Sequence, residues 1–340
     1  MLGKSLLVFF AAALGAAGCS DGAGEGTAVQ TSPLYNAPID TDHPFDVGVC
    51  AGRLNTDPKY GEIGSCAGPG LGVPGGFNIR ASGTLVAPNL VLTARHAFRK
   101  LEPPPPTPFD CSYGLGAMWF PEDGIRITTT HSTIVDQPTW IKVEKIIEPA
   151  GNFGCTDDLA LLQLDHDIWD VEPAWVDLRH DLGTSPPRDG KLAVVGRGAV
   201  APTDLGGLLR RYQRDMSFTC AKAPCELRYP FDGQTLSLQI RDGMIAFGAG
   251  LLGGDSGSGV LLNESFDTRP TVVGVSTISL RTEKGFPVHS VGIALHPHRE
   301  WIARAAREAA RAGHYRAPRW ARDCADGTDG TDETALDDRP

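Results

Sequence analysis

From Asp46 to about Leu295 the chain alternates short apolar runs with clusters of glycine, proline and aspartate: ASGTLV, LVLTA, IKVEKII, LALLQL, KLAVVG, SGVLL, TVVGVSTI and VGIAL follow one another. Many short strands separated by turn signals predict an all-β domain, a sandwich or barrels, rather than alternating strands and helices. One segment breaks the pattern. In PHREWIARAAREAARAG, residues Trp301, Ile302, Ala305 and Ala309 recur at helical spacing and Gly313 offers a stop. A single C-terminal helix is therefore expected to pack on the strands through its Trp301 side.

The ends have no such period. MLGKSLLVFFAAALGAAGC carries one lysine, an apolar run from Leu6 to Ala17 and small residues ahead of Cys19, the composition of a secretory signal. The run is shorter than the ~20 residues of a comfortable membrane span. Residues 1–18 are read as a signal peptide and 19–45, small and polar, as a flexible tether. The folded domain is expected over 46–312, and 313–340 as an acidic disordered tail. That tail spaces Asp323, Asp326, Asp329 and Asp332 three apart but lacks the ligand pattern of a calcium-binding loop, so a solvated segment is expected. The prolines of EPPPPTP, residues 102–108, read as a stiff extended loop.

Composition narrows the function. A net charge of −10 over 340 residues and a pI near 5.4, with no basic cluster, argue against nucleic-acid binding. Export permits disulfides, and there are eight cysteines. Cys50 with Cys66 and Cys220 with Cys225 would close short local loops, and Cys111 with Cys155 is a third candidate pair, since spacing alone does not fix connectivity. Cys324 is then the odd one if Cys19 is modified.

Candidate chemistry begins with GLLGGDSGSGVLL, residues 250–262, where Ser256 stands between an aspartate and glycines. Alone, the stretch fits a glycine-rich turn as well as a nucleophile. Serine catalysis also needs an imidazole base, a carboxylate to fix its tautomer and backbone donors for an oxyanion. LVLTARHAF places His96 at the end of an apolar strand, and CTDDLALLQLD places Asp158 directly before another.

Together these segments resemble the trypsin/chymotrypsin family of serine proteases. LTARHA resembles the family's LTAAHC, DLALLQL its DIALLKL, and GGDSGSGV its GDSGGP, in the family's order. VVGRGAV, DGMIAF and VGIALHPHREWI resemble further family segments, and the likeness runs from about Ser82 to Ile302. The ending AAGC resembles the lipobox of bacterial lipoproteins, with Ala16 where leucine is usual. That likeness implies lipid attachment at Cys19 and so a membrane-anchored chain; the alternative is a secreted one.

The family resemblance implies two six-stranded antiparallel β-barrels with a C-terminal helix. It implies a serine endopeptidase acting on protein or peptide substrates without a cofactor or metal. Ser256 would be the nucleophile, His96 the base and then acid, Asp158 the orienting carboxylate, and the N–H groups of Gly254 and Ser256 the oxyanion hole. The primary pocket would involve Gly250 and either Ser276 or Thr277, the latter two as candidates for the serine position that pairs with substrate backbone. Neither pocket stretch holds a carboxylate, so a small or apolar side chain is expected there rather than lysine or arginine.

The chain departs from the family in three ways. No IVGG-like activation sequence precedes Ser82, so Asp255, which would pair with the freed ammonium, needs another partner. Three of the positions where the family has cysteines, beside the histidine, on the strand before it and in DGMIAF, hold other residues here. Ser258 replaces a glycine. The missing terminus motivates an alternative, a catalytically silent protease-fold lipoprotein that binds a partner. A metal site at HPH, residues 296–298, lacks a third ligand nearby.

Overall fold

The structure, a computed structural model, describes residues 34, 37–57, 59, 62–66, 78–103, 111–134, 137–201 and 209–323. Cys19, Cys324 and most of the proline run lie outside these residues.

The apolar runs become strands of two closed antiparallel barrels. The first comprises β1 (Asp46–Ala51), β2 (Ile79–Ala87), β3 (Leu90–Thr93), β6 (Ile125–Thr128), β7 (Ile141–Ile147) and β8 (Ala160–Leu164), closed where β1 pairs with β6. The hairpin of β4 (Arg99–Glu102) and β5 (Gly114–Met118) stands outside it. The second comprises β10 (Lys191–Gly196), β11 (Arg211–Cys220), β14 (Met244–Gly248), β15 (Gly259–Leu262), β16 (Thr271–Arg281) and β17 (Pro287–Ala294), closed where β15 pairs with both β10 and β16. A short strand, β9 (Trp175–Val176), lies parallel to β16.

In β3 and β8 every residue is buried on both faces, one filling the barrel and the other covered by neighbours, which accounts for their unbroken apolar sequence. The added hairpin of β12 (Cys225–Phe231) and β13 (Gln234–Ile240) alternates instead, and its apolar face of Leu227, Tyr229, Leu238 and Ile240 packs with Leu280 and Val291 of the second barrel and with Cys111, Tyr113 and Cys155 from the segments ahead of β5 and β8. All three expected disulfides form: Cys50–Cys66, Cys111–Cys155 and Cys220–Cys225.

Helix α1 (Arg299–Ala312) ends at Gly313 and buries Ile302, Ala303, Ala305, Ala306, Ala309 and Ala310. Trp301 is only half-buried, at the margin of this face, so the alanine stripe makes the main contact. A side-chain bond from Asn89 Nδ2 to Ala309 O, 3.2 Å, fastens the helix to the β2–β3 turn.

Both ends of the packed chain lie beyond the expected 46–312. Residues 37–45 are not a free tether, because Asp40 and His43 are buried, Asp40 against Arg210 at 3.1 Å and His43 at 2.7 Å. Residues 313–323 likewise pack: Tyr315 donates its hydroxyl to Asn89 Oδ1 at 2.8 Å, and a short helix, α2 (Arg319–Asp323), buries Trp320. Polar composition concealed both, since counter-charges and apolar neighbours come from distant sequence.

Candidate active site

His96 sits on a 3-10 turn, Arg95–Ala97, immediately after β3, and Asp158 lies just before β8, the strand paired with β3. Register therefore brings the two together across 62 residues of sequence. Asp158 accepts from the His96 backbone N–H at 2.8 Å and faces Nδ1 at 2.6 Å. Its side chain is 1% exposed and that of His96 22%, so the carboxylate is sealed while the ring is partly open to solvent. Burial lowers the pKa of the imidazole, but the charge and hydrogen bond of Asp158 outweigh it and hold the ring above the usual histidine value.

Arg95, which sequence reasoning passed over, fixes this turn from the other side. Its guanidinium donates to Glu148 Oε1 at 3.1 Å and to the carbonyls of Gly151 and Asp157 at 2.8 and 3.2 Å. The loop leading to Asp158 is thus tied to the residue preceding His96. Asp157, the neighbouring carboxylate, is occupied locally, accepting from Phe153 N–H at 2.9 Å.

Ser256 comes from the second barrel, in the turn before β15. It is carried against the histidine strand because Ser82 N–H, on β2, donates to Ser256 O at 2.9 Å. The approach requires glycine next door: Gly257 has φ +92°, and a Cβ there would overlap Ser82 O and Thr93 Oγ1. Among the described residues, neither Ser256 Oγ nor His96 Nε2 has a hydrogen-bond partner.

Gly254 has φ +104° and lies against Gly198 and Arg197 O. The N–H groups of Gly254 and Ser256 donate to no group among the described residues, while the surrounding carbonyls are all taken. Ala199 N–H donates to Gly253 O at 2.8 Å, Ser82 Oγ to Gly254 O at 2.9 Å, and Ser276 Oγ to Asp255 O at 2.6 Å. The N–H groups of Gly254 and Ser256, both half-buried, are thus free while the carbonyls around them are held.

Asp255 has partners although the chain is uncut. Gly198 N–H donates to Oδ1 at 2.6 Å and Leu252 N–H to Oδ2 at 2.9 Å. Full burial pushes its pKa up to about 7 despite those two bonds. Gly198 leaves the room needed, since a Cβ there would overlap the carboxylate.

Of the two candidates for substrate pairing, Ser276 spends both backbone groups inside the protein, donating to Ser258 O at 2.9 Å and accepting from Gly257 N–H at 2.8 Å. Thr277 follows at the point where β16 leaves its pairing with β15. Gly250 lies near Gln213 Oε1 and Met216 Cε. Ser279, another residue missed from sequence, donates its hydroxyl to Leu251 O at 2.6 Å and so ties β16 to the Gly250 loop. The HPH histidines are committed to carbonyls, His296 to Leu178 O at 3.0 Å and His298 to Thr156 O at 2.9 Å.

The family model for Trypsin matches residues 71–302. The chain belongs to the trypsin family. Among solved structures it resembles the scabies mite inactivated protease paralogue S-I1, with 15% sequence identity and a TM-score of 0.50 over 79% of this chain and 99% of that one. At that identity the likeness speaks for the trypsin-like fold alone. No curated protein matches the chain.

Proposed function

We propose that this trypsin-family protein is an active serine endopeptidase. The observation that carries the reading is the doubly held His96, its backbone N–H and Nδ1 both fixed by buried Asp158, which leaves Nε2 free to serve as a base. The N–H groups of Gly254 and Ser256, taken up by no group among the described residues, support it as donors available to an oxyanion.

In this reading Ser256 Oγ attacks the substrate carbonyl carbon as His96 Nε2 takes its proton. Asp158 stabilises the imidazolium that results, and the carbonyl oxygen, now negative, is held by the N–H groups of Gly254 and Ser256. The peptide C–N bond then breaks as His96 returns the proton to the leaving amine. Water, activated by the same histidine, hydrolyses the acyl-enzyme. The steps use side chains and backbone of this chain alone.

The lack of a carboxylate in the sequence of residues 250–253 and 274–280 supports a small or apolar side chain at the cleaved position, with Thr277 pairing to substrate backbone. Three disulfides in a trypsin-like fold are typical of extracellular proteins, and we place the chain outside the cytoplasm, with Cys19 as its lipid-attachment residue.

Fluorophosphonate labelling tests the activity. The purified protein is expected to label and its Ser256→Ala variant not to. A folded wild-type protein that stays unlabelled in every form, cut or uncut, would favour the silent binding module.

A further inference from the structure

The loop 253–256 is pinned at each of its carbonyls, and one residue makes two of those contacts. Ser82 on β2 donates its N–H to Ser256 O and its hydroxyl to Gly254 O, both at 2.9 Å. That hydroxyl in turn accepts from Arg197 N–H at 2.9 Å. Ser82 is fully buried, so its hydroxyl has no competing water.

Arg197 is held from further back. Its Nε donates to Asp46 Oδ2 at 2.8 Å, its Nη2 to Asp46 O at 2.7 Å, and its Nη1 to Thr130 O, with both side chains 1% exposed. Asp46 opens β1 of the first barrel, whereas Arg197 follows β10 of the second. The next residue, Gly198, donates to Asp255. The ion pair across the barrels thus sets the backbone that holds both the Ser82 hydroxyl and the Asp255 carboxylate.

Ala199 and Ser276 hold the peptide planes that carry the Gly254 and Ser256 N–H groups, through Gly253 O and Asp255 O. Ser82 holds the planes on either side of the Ser256 N–H, through Gly254 O and Ser256 O, so that the donor planes cannot turn about their flanking bonds. We propose that Ser82, backed by the Arg197–Asp46 pair, is a positioning residue that keeps the oxyanion loop formed in the uncut chain, so that no freed N-terminus is needed. The inference rests on the serine-hydrolase reading for its catalytic consequence, but not for its structural one.

The experiment compares the full chain, the chain cleaved ahead of Leu34, and the Ser82→Ala and Ser82→Thr variants of the full chain. Two readouts are taken: saturation kinetics of fluorophosphonate labelling, and hydrogen exchange of the segment 250–258. The uncut wild type is expected to label. Ser82→Ala should lower the maximal labelling rate about 10-fold or more at unchanged half-saturation, because a displaced donor loses transition-state contact rather than ground-state binding. Exchange at the Leu252 and Asp255 amides should rise with it, and Ser82→Thr, which keeps the hydroxyl, should recover both.

Labelling that appears only after cleavage ahead of Leu34 would overturn the proposal and leave the hydrolase reading standing. Faster exchange in Ser82→Ala in a protein that no form of which labels would instead sink the hydrolase reading and uphold the clamp. Unchanged labelling and unchanged exchange in Ser82→Ala would remove the clamp altogether.

Discussion

Asp158 grips His96 at two points, accepting from its backbone N–H and facing its Nδ1, so that neither the turn nor the ring can rotate without breaking a buried bond. Replacing Asp158 by asparagine keeps the shape but puts a neutral amide against the ring. The tautomer with Nδ1 unprotonated is then favoured, and Nε2 can no longer accept the Ser256 proton. Asp158→Asn is expected to lower the labelling rate by about 10⁴-fold while the protein still melts cooperatively. Retention of more than about a tenth of the rate would remove Asp158 from the catalytic role.

The direction of the His96 shift makes activity and stability run in opposite senses with pH. The base must be neutral, so labelling should fall as pH drops through a midpoint above the usual histidine value of about 6.5. Stability follows the proton instead. His96 and His43 have raised values, and buried Asp255 is pushed up to about 7, so all three bind protons in the folded state across a pH range in which the unfolded chain has lost them. The stabilisation is therefore present at low pH and lost as pH rises through the folded values. Asp40 and Glu148, with lowered values, are ionised in both states near neutrality and add no slope there. Between pH about 6.5 and 8 the melting temperature should decline while the labelling rate climbs. A melting temperature that rises across that interval would contradict the assignment.

The contrast between what could and could not be read from the chain follows sequence distance and local pattern. His96, Asp158 and Ser256 each occupy a short segment with its own strand or turn signal, and their order completes the inference. Disulfides closing local loops were equally legible. Ser82 was not, because its hydroxyl acts on Gly254, 172 residues away, and a serine inside an apolar strand carries no mark of that partner. Arg197 and Asp46 are likewise joined over 151 residues. The segment around Asp40 reads as a tether because the local Asp40–His43 pair carries no sign of burial; Arg210, 170 residues on, and Phe266 supply the partners that pack it.

The Cys111–Cys155 bond spans 44 residues and joins the approach to β5 with the loop that delivers Asp158. Loop closure over that length restricts the unfolded chain by up to about 4 kcal/mol. The bond also packs in the apolar layer with Tyr113, Leu227 and Tyr229. Replacing both cysteines by alanine should lower the melting temperature markedly. Labelling well below that temperature should fall less than in Asp158→Asn, because Arg95 still ties the loop to the His96 turn. A double variant with an unchanged melting temperature would show that the bond constrains little.

Gly198 offers the sharpest test of how Asp255 is accommodated. Its N–H supplies one of the two bonds to the carboxylate, and a side chain would occupy the space the carboxylate now fills. In Gly198→Ala the carboxylate must move, carrying the Asp255 backbone and the donors on either side of it. Labelling should therefore drop by about 100-fold, in the range seen when one oxyanion donor is lost. Substitution at Gly253, where a Cβ meets nothing nearby, serves as the control and should leave labelling within a few-fold of wild type. Equal losses in Gly198→Ala and Gly253→Ala would mean that general sensitivity of the loop, rather than the seat of Asp255, governs the site.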